Sequence, residues 1–375
     1  MIVDNINKIN PVCRVLVVPL DWGLGHATRC IPIINILTKH NIEVILAGEG
    51  DIPKILGKAQ PKLVILRLKG YRVKYSRSKK FFFLKMLLQF PKIIAAIRNE
   101  RRWLKKTIAD HNIDAVISDN RFGLHCQGTA SVFITHQLSI QTGNKWLDRL
   151  AQKINYHFIN KFDECWVPDM AGNANLAGKL SHPDKLPNKT VNYLGVLSRF
   201  KKTTVEKKYD LLIMLSGPEP QRSIFENILL SQLKSISGTI VLVRGLPAEE
   251  KKLMIENDQL VIHNHLPAEA LNELILQSKN IVARCGYSTV MDLFTLQQKA
   301  ALVATPGQTE QEYLAVHLME NKIFFTCTQE NFSLKETLES IKHFNFSGSG
   351  DIPRMQSVVI ETWIERLKTK VIITQ

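Results

Sequence analysis

The chain has 375 residues, enough for two domains at about 100–200 residues each, and 45% are hydrophobic and 22% charged. This is the composition of a globular protein, not of a disordered or fibrous one. The longest apolar stretch, residues 81–97, is interrupted by polar residues and is too short to span a bilayer. The six cysteines form no CxxC pair, so neither a disulfide framework nor a zinc site is expected. With no secretory signal visible, we expect a cytoplasmic protein.

The positive charge of the chain is concentrated in one segment. The formal net charge is +15, and the residues from Lys54 to Lys106 contribute 17 basic side chains against a single acid, Glu100. Charge spread evenly along a chain would indicate only solubility. A concentrated patch favours a polyanionic partner or an anionic membrane surface.

In the first half of the chain, short β-branched runs alternate with amphipathic segments, a pattern typical of βαβ units and a parallel sheet. Strands are predicted at residues 14–19, 43–47, 63–67, 114–118, 131–134 and 164–167, with a last element at 191–195. Helices are predicted between them at residues 26–39, 83–110 and 145–160. The polar segment 197–208 lacks apolar periodicity and is predicted to be a linker.

The same alternation then starts again. Strands are predicted at residues 210–215, 239–243, 260–262, 280–283 and 300–303, and helices at 221–233, 267–277, 287–296 and 310–319, followed by an amphipathic stretch at 355–368. The fold class is therefore α/β, with two doubly wound, Rossmann-like domains facing a central cleft. The predicted boundaries are 1–198, a linker at 199–208, 209–352, and a C-terminal helix at 353–375 that returns to the first domain.

A glycine-rich loop, DWGLGHATR, follows the first predicted strand and opens a helix. Gly23 and Gly25 allow a tight turn and a close approach of ligand to backbone, and the helix N-terminus offers N–H groups to an anion. A dinucleotide-binding fingerprint fits poorly, because its third small position is Thr28. Moreover, the acid near the second strand, Glu43, begins that strand instead of ending it.

His26 lies in the first turn of this helix and is the candidate general base, because an imidazole with a pKa near 6.5 suits proton abstraction from a hydroxyl. The alternative is a histidine that only caps the loop. Asp119 and His136 follow predicted strands of the same half and are the second-choice acids or bases.

Three further loops at strand ends carry polar residues. SGPEPQR places a turn at Gly217 before Arg222, which could pair with a phosphate, although a surface turn has the same pattern. TPGQTEQ presents Glu310 and Gln311 together, an acid and an amide suited to sugar hydroxyls. Each loop is ambiguous by itself, but such loops across two domains point together to a ligand cleft.

The third loop, ARCGYSTVMD, runs from a strand through Gly286 into a helix. Backbone and hydroxyl groups of Ser288 and Thr289 at the helix start form a candidate anion site. Asp292 lies one turn further along, where a carboxylate can accept hydrogen bonds from both ribose hydroxyls.

Together these loops resemble those of the GT-B glycosyltransferases, specifically family 28, and within it the peptidoglycan N-acetylglucosaminyltransferases with a lipid-linked acceptor. The resemblance covers nearly the whole chain, including the HQ…NKWL segment at 136–147. It implies the GT-B fold, an acceptor-binding N-terminal domain and a C-terminal domain that binds a nucleotide-sugar. It also implies an inverting transfer from that donor, expected to carry UDP, to a hydroxyl acceptor of the cell envelope. No metal and no cofactor beyond the donor are implied, and the chain has no Asp-x-Asp.

The resemblance assigns roles to individual residues. It implies that Arg222 faces donor phosphate, that the helix start after Gly286 holds the diphosphate, and that Asp292, in place of the usual glutamate, contacts the ribose. His26 would be the base or an acceptor-binding group. The complete expected set of ligand-binding residues is Gly23, Gly25, Gly217, Arg222, Leu266 (uracil, by backbone contacts), Gly286, Ser288, Thr289, Asp292, Glu310 and Gln311.

Two loops depart from the family. The sequence reads THQL at 135–138 instead of a His-Glu-Gln-Asn pattern, and the first glycine loop is short. Both loops face the acceptor, so an acceptor other than the muramyl lipid is expected. Apolar residues at 81–90 lie among the basic residues 54–106, a pattern that suits peripheral docking on the inner face of the cytoplasmic membrane. A core-facing helix with a solvated basic face is the alternative, and no nucleic-acid-binding signature is present.

Two other functions fit the same architecture. A non-hydrolysing nucleotide-sugar epimerase would need several carboxylates around the sugar and would form product without an acceptor. A non-catalytic nucleotide-sugar or membrane-binding protein would bind the donor without turnover.

Overall fold

A computed structural model describes residues 13–21, 24–72, 82–249, 259–347 and 355–374. The described residues contain two parallel sheets, one in each half of the chain, both covered by helices. The α/β fold with two Rossmann-like domains, predicted from the sequence, is confirmed.

The N-terminal sheet has seven parallel strands in the order β3-β2-β1-β4-β5-β6-β7. Its strands are β1 (Arg14–Val18), β2 (Glu43–Gly48), β3 (Val64–Arg67), β4 (Ala115–Asp119), β5 (Ala130–Ile134), β6 (Glu164–Val167) and β7 (Thr190–Tyr193). Its helices are α1 (Leu24–Lys39), α2 (Ile52–Ala59), α3 (Phe82–His111) and α4 (Lys145–Ile159). Valine and leucine fill β1 because both sheet faces are covered. The strand order reverses between β1 and β4, where such sheets bind ligands.

The C-terminal sheet has six parallel strands in the order β10-β9-β8-β11-β12-β13. They are β8 (Tyr209–Met214), β9 (Ile240–Val243), β10 (Leu260–His263), β11 (Ser278–Arg284), β12 (Ala301–Val303) and β13 (Phe325–Cys327). The helices are α5 (Gln221–Gln232), α6 (Ala268–Gln277), α7 (Tyr287–Thr295), α8 (Thr309–Glu320) and α9 (Leu334–His343). Here the order reverses between β8 and β11, the strands that precede SGPEPQR and ARCGYSTVMD.

The last helix, α10 (Ser357–Thr374), lies against the N-terminal half. Its Trp363 is buried and packs edge-on against Trp166 of β6, with ring centroids 5.4 Å apart. Arg366 forms an ion pair of 2.7 Å with Glu164 at the start of β6. Helix α10 also contacts α1. One continuous cluster of buried apolar residues contains members from both halves of the chain.

Three elements have no counterpart among the predicted ones: α2, β13 and α9. The α2 segment, IPKILGKA, contains proline and glycine, but its proline occupies the first helical turn, where no N–H partner is lost. Strand β13 has three residues, too few to show alternation. Residues 199–208 form neither helix nor strand.

Within the described residues, no helix combines the length and the apolar character that crossing a bilayer requires. The membrane-docking prediction includes residues 73–81 and the side chains of 82–88, which lie outside the described part of the chain. The remainder of α3 is described and carries exposed basic side chains.

Candidate active site

The polar loops of both halves meet where α1 faces α7. Asp119 ends β4 and His136 follows β5, so both lie at the carboxyl edge of the N-terminal sheet, next to the start of α1. A β-carbon at Gly25 would lie 2.5 Å from Ser288 Oγ, so this approach of the two halves requires a glycine. Gly23 lies outside the described residues.

A buried cluster joins α1 to the end of β4. His26 Nδ1 lies 3.2 Å from both carboxylate oxygens of Asp119. Arg29, one turn further along α1, donates through Nε to Asp119 Oδ2 at 2.7 Å and through Nη2 to Oδ1. Asp119 is fully buried and Arg29 is 3% exposed, whereas the His26 side chain is 17% exposed. The histidine is therefore the member of the cluster that a ligand can reach.

The charges of this cluster suit general base catalysis. Burial by itself would raise the pKa of Asp119, but the adjacent Arg29 guanidinium and His26 ring hold it below its ordinary range. Burial lowers the pKa of His26 and the charge of Arg29 lowers it further, against the opposing effect of Asp119. At neutral pH the carboxylate is thus ionised and the imidazole is neutral, ready to accept a proton.

The tautomer of His26 decides which nitrogen carries the free lone pair. Asp119 accepts from Nδ1–H in one tautomer, and Nε2, which has no hydrogen-bond partner among the described residues, then holds the lone pair. In the other tautomer Nδ1 accepts from Arg29 Nη2, 2.8 Å away, and Nε2 is protonated. Only the tautomer with the proton on Nδ1 makes His26 Nε2 a base.

The cluster extends across the interface between the two halves. Arg29 Nη1 lies 3.2 Å from His136 Nδ1, and His136 Nε2 lies 2.7 Å from Glu310 Oε1 on α8. The tautomer of His136 that accepts at Nδ1 and donates from Nε2 satisfies both contacts. Its ring stacks on Tyr287 with centroids 4.2 Å apart, which fixes its plane. Three predicted catalytic residues and Glu310 therefore lie together.

This cluster is poorly suited to a metal ion, because the Arg29 guanidinium lies among its carboxylates and imidazoles. Elsewhere in the described chain, no three histidine, cysteine, aspartate or glutamate side chains are grouped to hold a metal.

The start of α7 has room for an anion. A β-carbon added at Gly286 would have no atom within 4 Å, and no side chain caps this helix end. Ser288 and Thr289 in its first turn are partly exposed. Unpaired N–H groups at a helix start attract negative charge.

Arg284 is a buried cation two residues before Gly286 in the chain, and its guanidinium contacts the start of α5 and the loops after β12 and β13. Arg284 at the end of β11 is 1% exposed and donates to two backbone carbonyls and to Gln329 Oε1. No carboxylate pairs with it among the described residues, and burial lowers its pKa to about 9. Its positive charge is therefore not neutralised by the described protein.

Arg222, which the resemblance expects to face donor phosphate, forms ion pairs within the C-terminal half. Its side chain is 4% exposed and pairs with Glu219 at 2.6 Å and Glu226 at 3.2 Å. Glu226 also pairs with Arg244 at 2.6 Å. In this structure the Arg222 charge is matched within the protein, and its contact with a donor stays a prediction.

The remaining expected residues lie in or near the loops of the C-terminal half. Gly217 has φ +100° and open space beside it, so the turn after β8 requires glycine. Gln311 accepts from the backbone N–H of Thr305 at 3.0 Å, inside the loop that presents Glu310. Leu266 is partly buried against the core before α6.

Asp292 lies within α7 and contacts the segment between the two halves. Ser198 Oγ donates to Asp292 Oδ1 at 2.5 Å. Burial raises the pKa of Asp292 to about 6, although the nearby charge of Arg199 and the Ser198 hydrogen bond oppose the rise.

Sequence reasoning gave no role to Arg29, Tyr287 or Arg284, although all three lie inside the motifs it singled out. Arg29 follows His26 by three residues on a helix, a spacing that places both side chains on one face. That spacing was the available signal for Arg29. Tyr287 stacks on a residue that is distant in the sequence, and the contacts of Arg284 are also with distant residues, so neither could be predicted from the local pattern.

The raised pKa of Asp292 predicts a pH-dependent effect of Asp292→Asn. Because the folded-state pKa of about 6 lies above the ordinary 3.8, the folded protein binds more protons between these values, and wild-type stability falls as pH rises through this window. Asparagine does not ionise, so the free energy of unfolding of the variant should not fall in this window. At pH 8 the variant should therefore be more stable than wild type, by up to about 3 kcal/mol. The difference should vanish at about pH 4. Urea denaturation at several pH values measures it, and a variant that is less stable at pH 8 would contradict it.

No protein-family model and no curated protein matches the chain by sequence. Solved structures do match its fold. The glycosyltransferase of kitacinnamycin matches with a TM-score of 0.61 and 12% identity, over 96% of this chain and 95% of that chain. MurG of Acinetobacter baumannii matches with 0.51 and 13%, over 89% and 90%.

A putative UDP-N-acetylglucosamine 2-epimerase from Listeria monocytogenes matches with a TM-score of 0.59 and 12% identity, over 95% of this chain and 97% of that chain. Identities this low do not distinguish family 28 from other families that share the architecture, so the family stays a prediction. The chain has the GT-B fold, two Rossmann-like domains facing one another.

Proposed function

We propose that this protein is an inverting, metal-independent glycosyltransferase that transfers a sugar from a nucleotide donor, with UDP favoured, to a hydroxyl acceptor. The observation that carries the proposal is that two groups with different chemical roles lie close together. A histidine–aspartate pair in the N-terminal half approaches an uncapped helix start in the C-terminal half, through Gly25 and Ser288. A base for the acceptor and a binding site for a leaving anion then share one cleft.

The donor diphosphate would bind at the start of α7. Backbone N–H groups after Gly286 and the hydroxyls of Ser288 and Thr289 would donate to its oxygens. The helix dipole and the uncompensated charge of Arg284 would stabilise the negative charge that develops on the leaving group. The diphosphate needs no metal in this arrangement, because cationic and dipolar groups of the protein take that role.

The acceptor would react from the side of the N-terminal half. Its hydroxyl oxygen would form a bond to the anomeric carbon while the bond from that carbon to the diphosphate oxygen breaks, which inverts the configuration. The hydroxyl proton would pass to His26 Nε2, and Asp119 would stabilise the resulting imidazolium through Nδ1–H. Arg29 would keep Asp119 ionised and in place.

Glu310 would connect donor binding to this cluster. Its Oε1 contacts His136, which leaves Oε2 to accept a hydrogen bond from a donor sugar hydroxyl. Two carboxylates, Asp119 and Glu310, belong to the cluster, fewer than the several that an epimerase acting on the sugar itself would need. Transfer to an acceptor is therefore favoured over epimerisation.

We further propose that the basic face of α3 docks on an anionic membrane surface. Between residues 98 and 106, five basic side chains of α3 are exposed: Arg98, Arg101, Arg102, Lys105 and Lys106. The acid within this segment, Glu100, is 2% exposed and turns inward to pair with Arg121 at 2.8 Å. Between residues 98 and 106 the outer face of α3 therefore carries basic charge without acidic charge, as a surface that docks on anionic lipids would.

His26→Ala should lower the transfer rate by at least about 100-fold, since it removes the general base, and should leave UDP binding within about twofold. The rate is measured as UDP release from a UDP-sugar in the presence of a membrane lipid extract, and binding by calorimetry. The control is His343→Ala, because that ring is 77% exposed on α9, and it should change neither quantity. Loss of UDP binding would assign His26 to the donor site, and sugar product formed without extract would favour an epimerase.

Gly286→Ala should abolish stabilisation by UDP without unfolding the protein. The backbone φ of −84° and the open space accept an alanine, but the added methyl group fills the position that the diphosphate would approach. At a concentration 100 times its Kd, UDP should stabilise wild type by about 2.7 kcal/mol, seen as a rise in Tm. Gly57→Ala, whose methyl group would lie 3.6 Å from Ile65, is the control and should keep the rise. An unchanged rise in Gly286→Ala would remove the diphosphate from this helix start.

Replacing Arg98, Arg102 and Lys105 with glutamine should weaken binding to vesicles of phosphatidylglycerol in phosphatidylcholine. At about 1 kcal/mol for each basic residue near the surface, the loss is about 100-fold in affinity at low salt. Cosedimentation measures it. The control replaces Lys201, Lys234 and Lys335, which are exposed and lie outside α3. Equal losses in both triple variants would show that only net charge matters.

A further inference from the structure

A cavity of about 560 Å³ lies at the opposite edge of the N-terminal sheet from the cleft. It is lined by Arg101 of α3, by residues 125–131, by Lys161 and the start of β6, and by one side of α10. Strand β5 runs from this edge to the cleft edge, a rise of about 13 Å at 3.3 Å per residue. The cavity is therefore separate from the proposed donor and acceptor sites.

The carboxylates of this cavity are already engaged by the protein. Asp163 accepts hydrogen bonds from the backbone N–H and the hydroxyl of Ser131 at 2.8 and 2.9 Å. Glu164 pairs with Arg366 at 2.7 Å and accepts from Trp166 Nε1 at 3.2 Å. Neither acid forms an ion pair with Arg101 or Lys161, which also line the cavity.

Two of the cations that line the cavity have no acidic partner. Arg101 and Lys161 are exposed at the mouth of the cavity and form no ion pair with any described residue. Burial lowers the pKa of Lys161, and the adjacent charge of Arg101 lowers it further. The cavity lining carries four cations, Arg101, Lys161, Arg366 and Lys370, against two acids, Asp163 and Glu164, and this excess creates a local positive potential that an anion would relieve.

His125 adds a buried polar group to the same cavity. The residue is 8% exposed and its ring lies edge-on to Phe162, with centroids 5.4 Å apart. Its ring nitrogens make no hydrogen bond to the described residues and are not fully buried, so a ligand in the cavity can reach them. Burial and the charges of Arg101 and Lys161 lower its pKa to about 4, against the opposing effect of Asp163. A neutral ring then offers one N–H donor.

We propose that this cavity is a second ligand site that binds a phosphate group, with Arg101 and Lys161 on the phosphate oxygens and the His125 ring donating a hydrogen bond. Its volume is that of small-molecule sites in proteins, about 300–1,000 Å³. The phosphate can belong to a free phosphorylated metabolite or to a lipid headgroup, since Arg101 also belongs to the basic face of α3. A bound ligand would link α3 to α10.

The first test uses glycerol phosphate as the probe, at constant ionic strength with chloride as the reference salt. Wild type should bind it by calorimetry and gain Tm with its concentration, also when UDP is present in excess. Arg101→Gln combined with Lys161→Gln should weaken binding about tenfold or more, since each substitution removes a charge-assisted hydrogen bond. His125→Phe, which keeps an aromatic ring beside Phe162, should weaken it less.

The control is Lys234→Gln combined with Lys335→Gln, which removes the same charge from exposed positions of the C-terminal half. It should bind glycerol phosphate like wild type, and all variants should keep the wild-type Tm without ligand. Gly286→Ala should also keep this binding, which separates the cavity from the donor site. The proposal is overturned if wild type shows no binding beyond the chloride reference, or if the control pair and the cavity pair lose affinity equally.

A second test identifies the source of the phosphate. Vesicles of phosphatidylglycerol in phosphatidylcholine are presented to wild type and to the Arg101→Gln, Lys161→Gln pair, with and without free glycerol phosphate. A lipid headgroup is the source if the pair loses vesicle binding and glycerol phosphate competes with it. A free metabolite is the source if vesicle binding persists in the pair while glycerol phosphate binding is lost. Retention of both kinds of binding would overturn the proposal.

Discussion

The buried contact between Arg29 and Asp119 fixes the geometry of the cleft. Two N–H donors of the Arg29 guanidinium reach both carboxylate oxygens of Asp119. Asp119 is fully buried and Arg29 is 3% exposed. A buried charge is costly unless it is paired and hydrogen-bonded, and here each charge satisfies the other. Because Arg29 belongs to α1 and Asp119 ends β4, the pair holds the helix at the switch point of the sheet. His26, three residues before Arg29, is positioned by the same contact.

The interface between the halves is built from the same residues. The Tyr287 hydroxyl donates to the backbone carbonyl of Pro168 at 2.8 Å, and the Tyr287 ring stacks on His136. His136 in turn bridges Arg29 and Glu310, one from each half. Glu310 of the C-terminal half is thus connected to His26 through His136 and Arg29. The proposed site is therefore composite: the His26–Asp119 pair belongs to the N-terminal half and the uncapped start of α7 to the C-terminal half.

The sequence was sufficient for the sheets and for the loops that carry the site, because strand periodicity and glycine-rich turns are local signals. Both sheets and the positions of the four polar loops were predicted. The pairing of side chains was not, because it depends on partners far apart in the chain. Asp119 and Arg29 are 90 residues apart, and His136 and Glu310 are 174 apart. Short or atypical elements such as α2 and β13 were not predicted, because the local sequence signals of these segments are weak.

Arg222 shows why a motif does not fix the role of a charge. The turn before α5 presents it in the expected place, yet Glu219 and Glu226 neutralise it inside the domain. An arginine that is already matched by carboxylates gains little from a bound anion, because binding must first break those contacts. Arg284 at the end of β11, and Arg101 and Lys161 at the edge of the N-terminal sheet opposite the cleft, form no ion pair with any described residue. A bound phosphate would therefore gain more free energy from cations without an ion pair than from Arg222, whose charge is already paired.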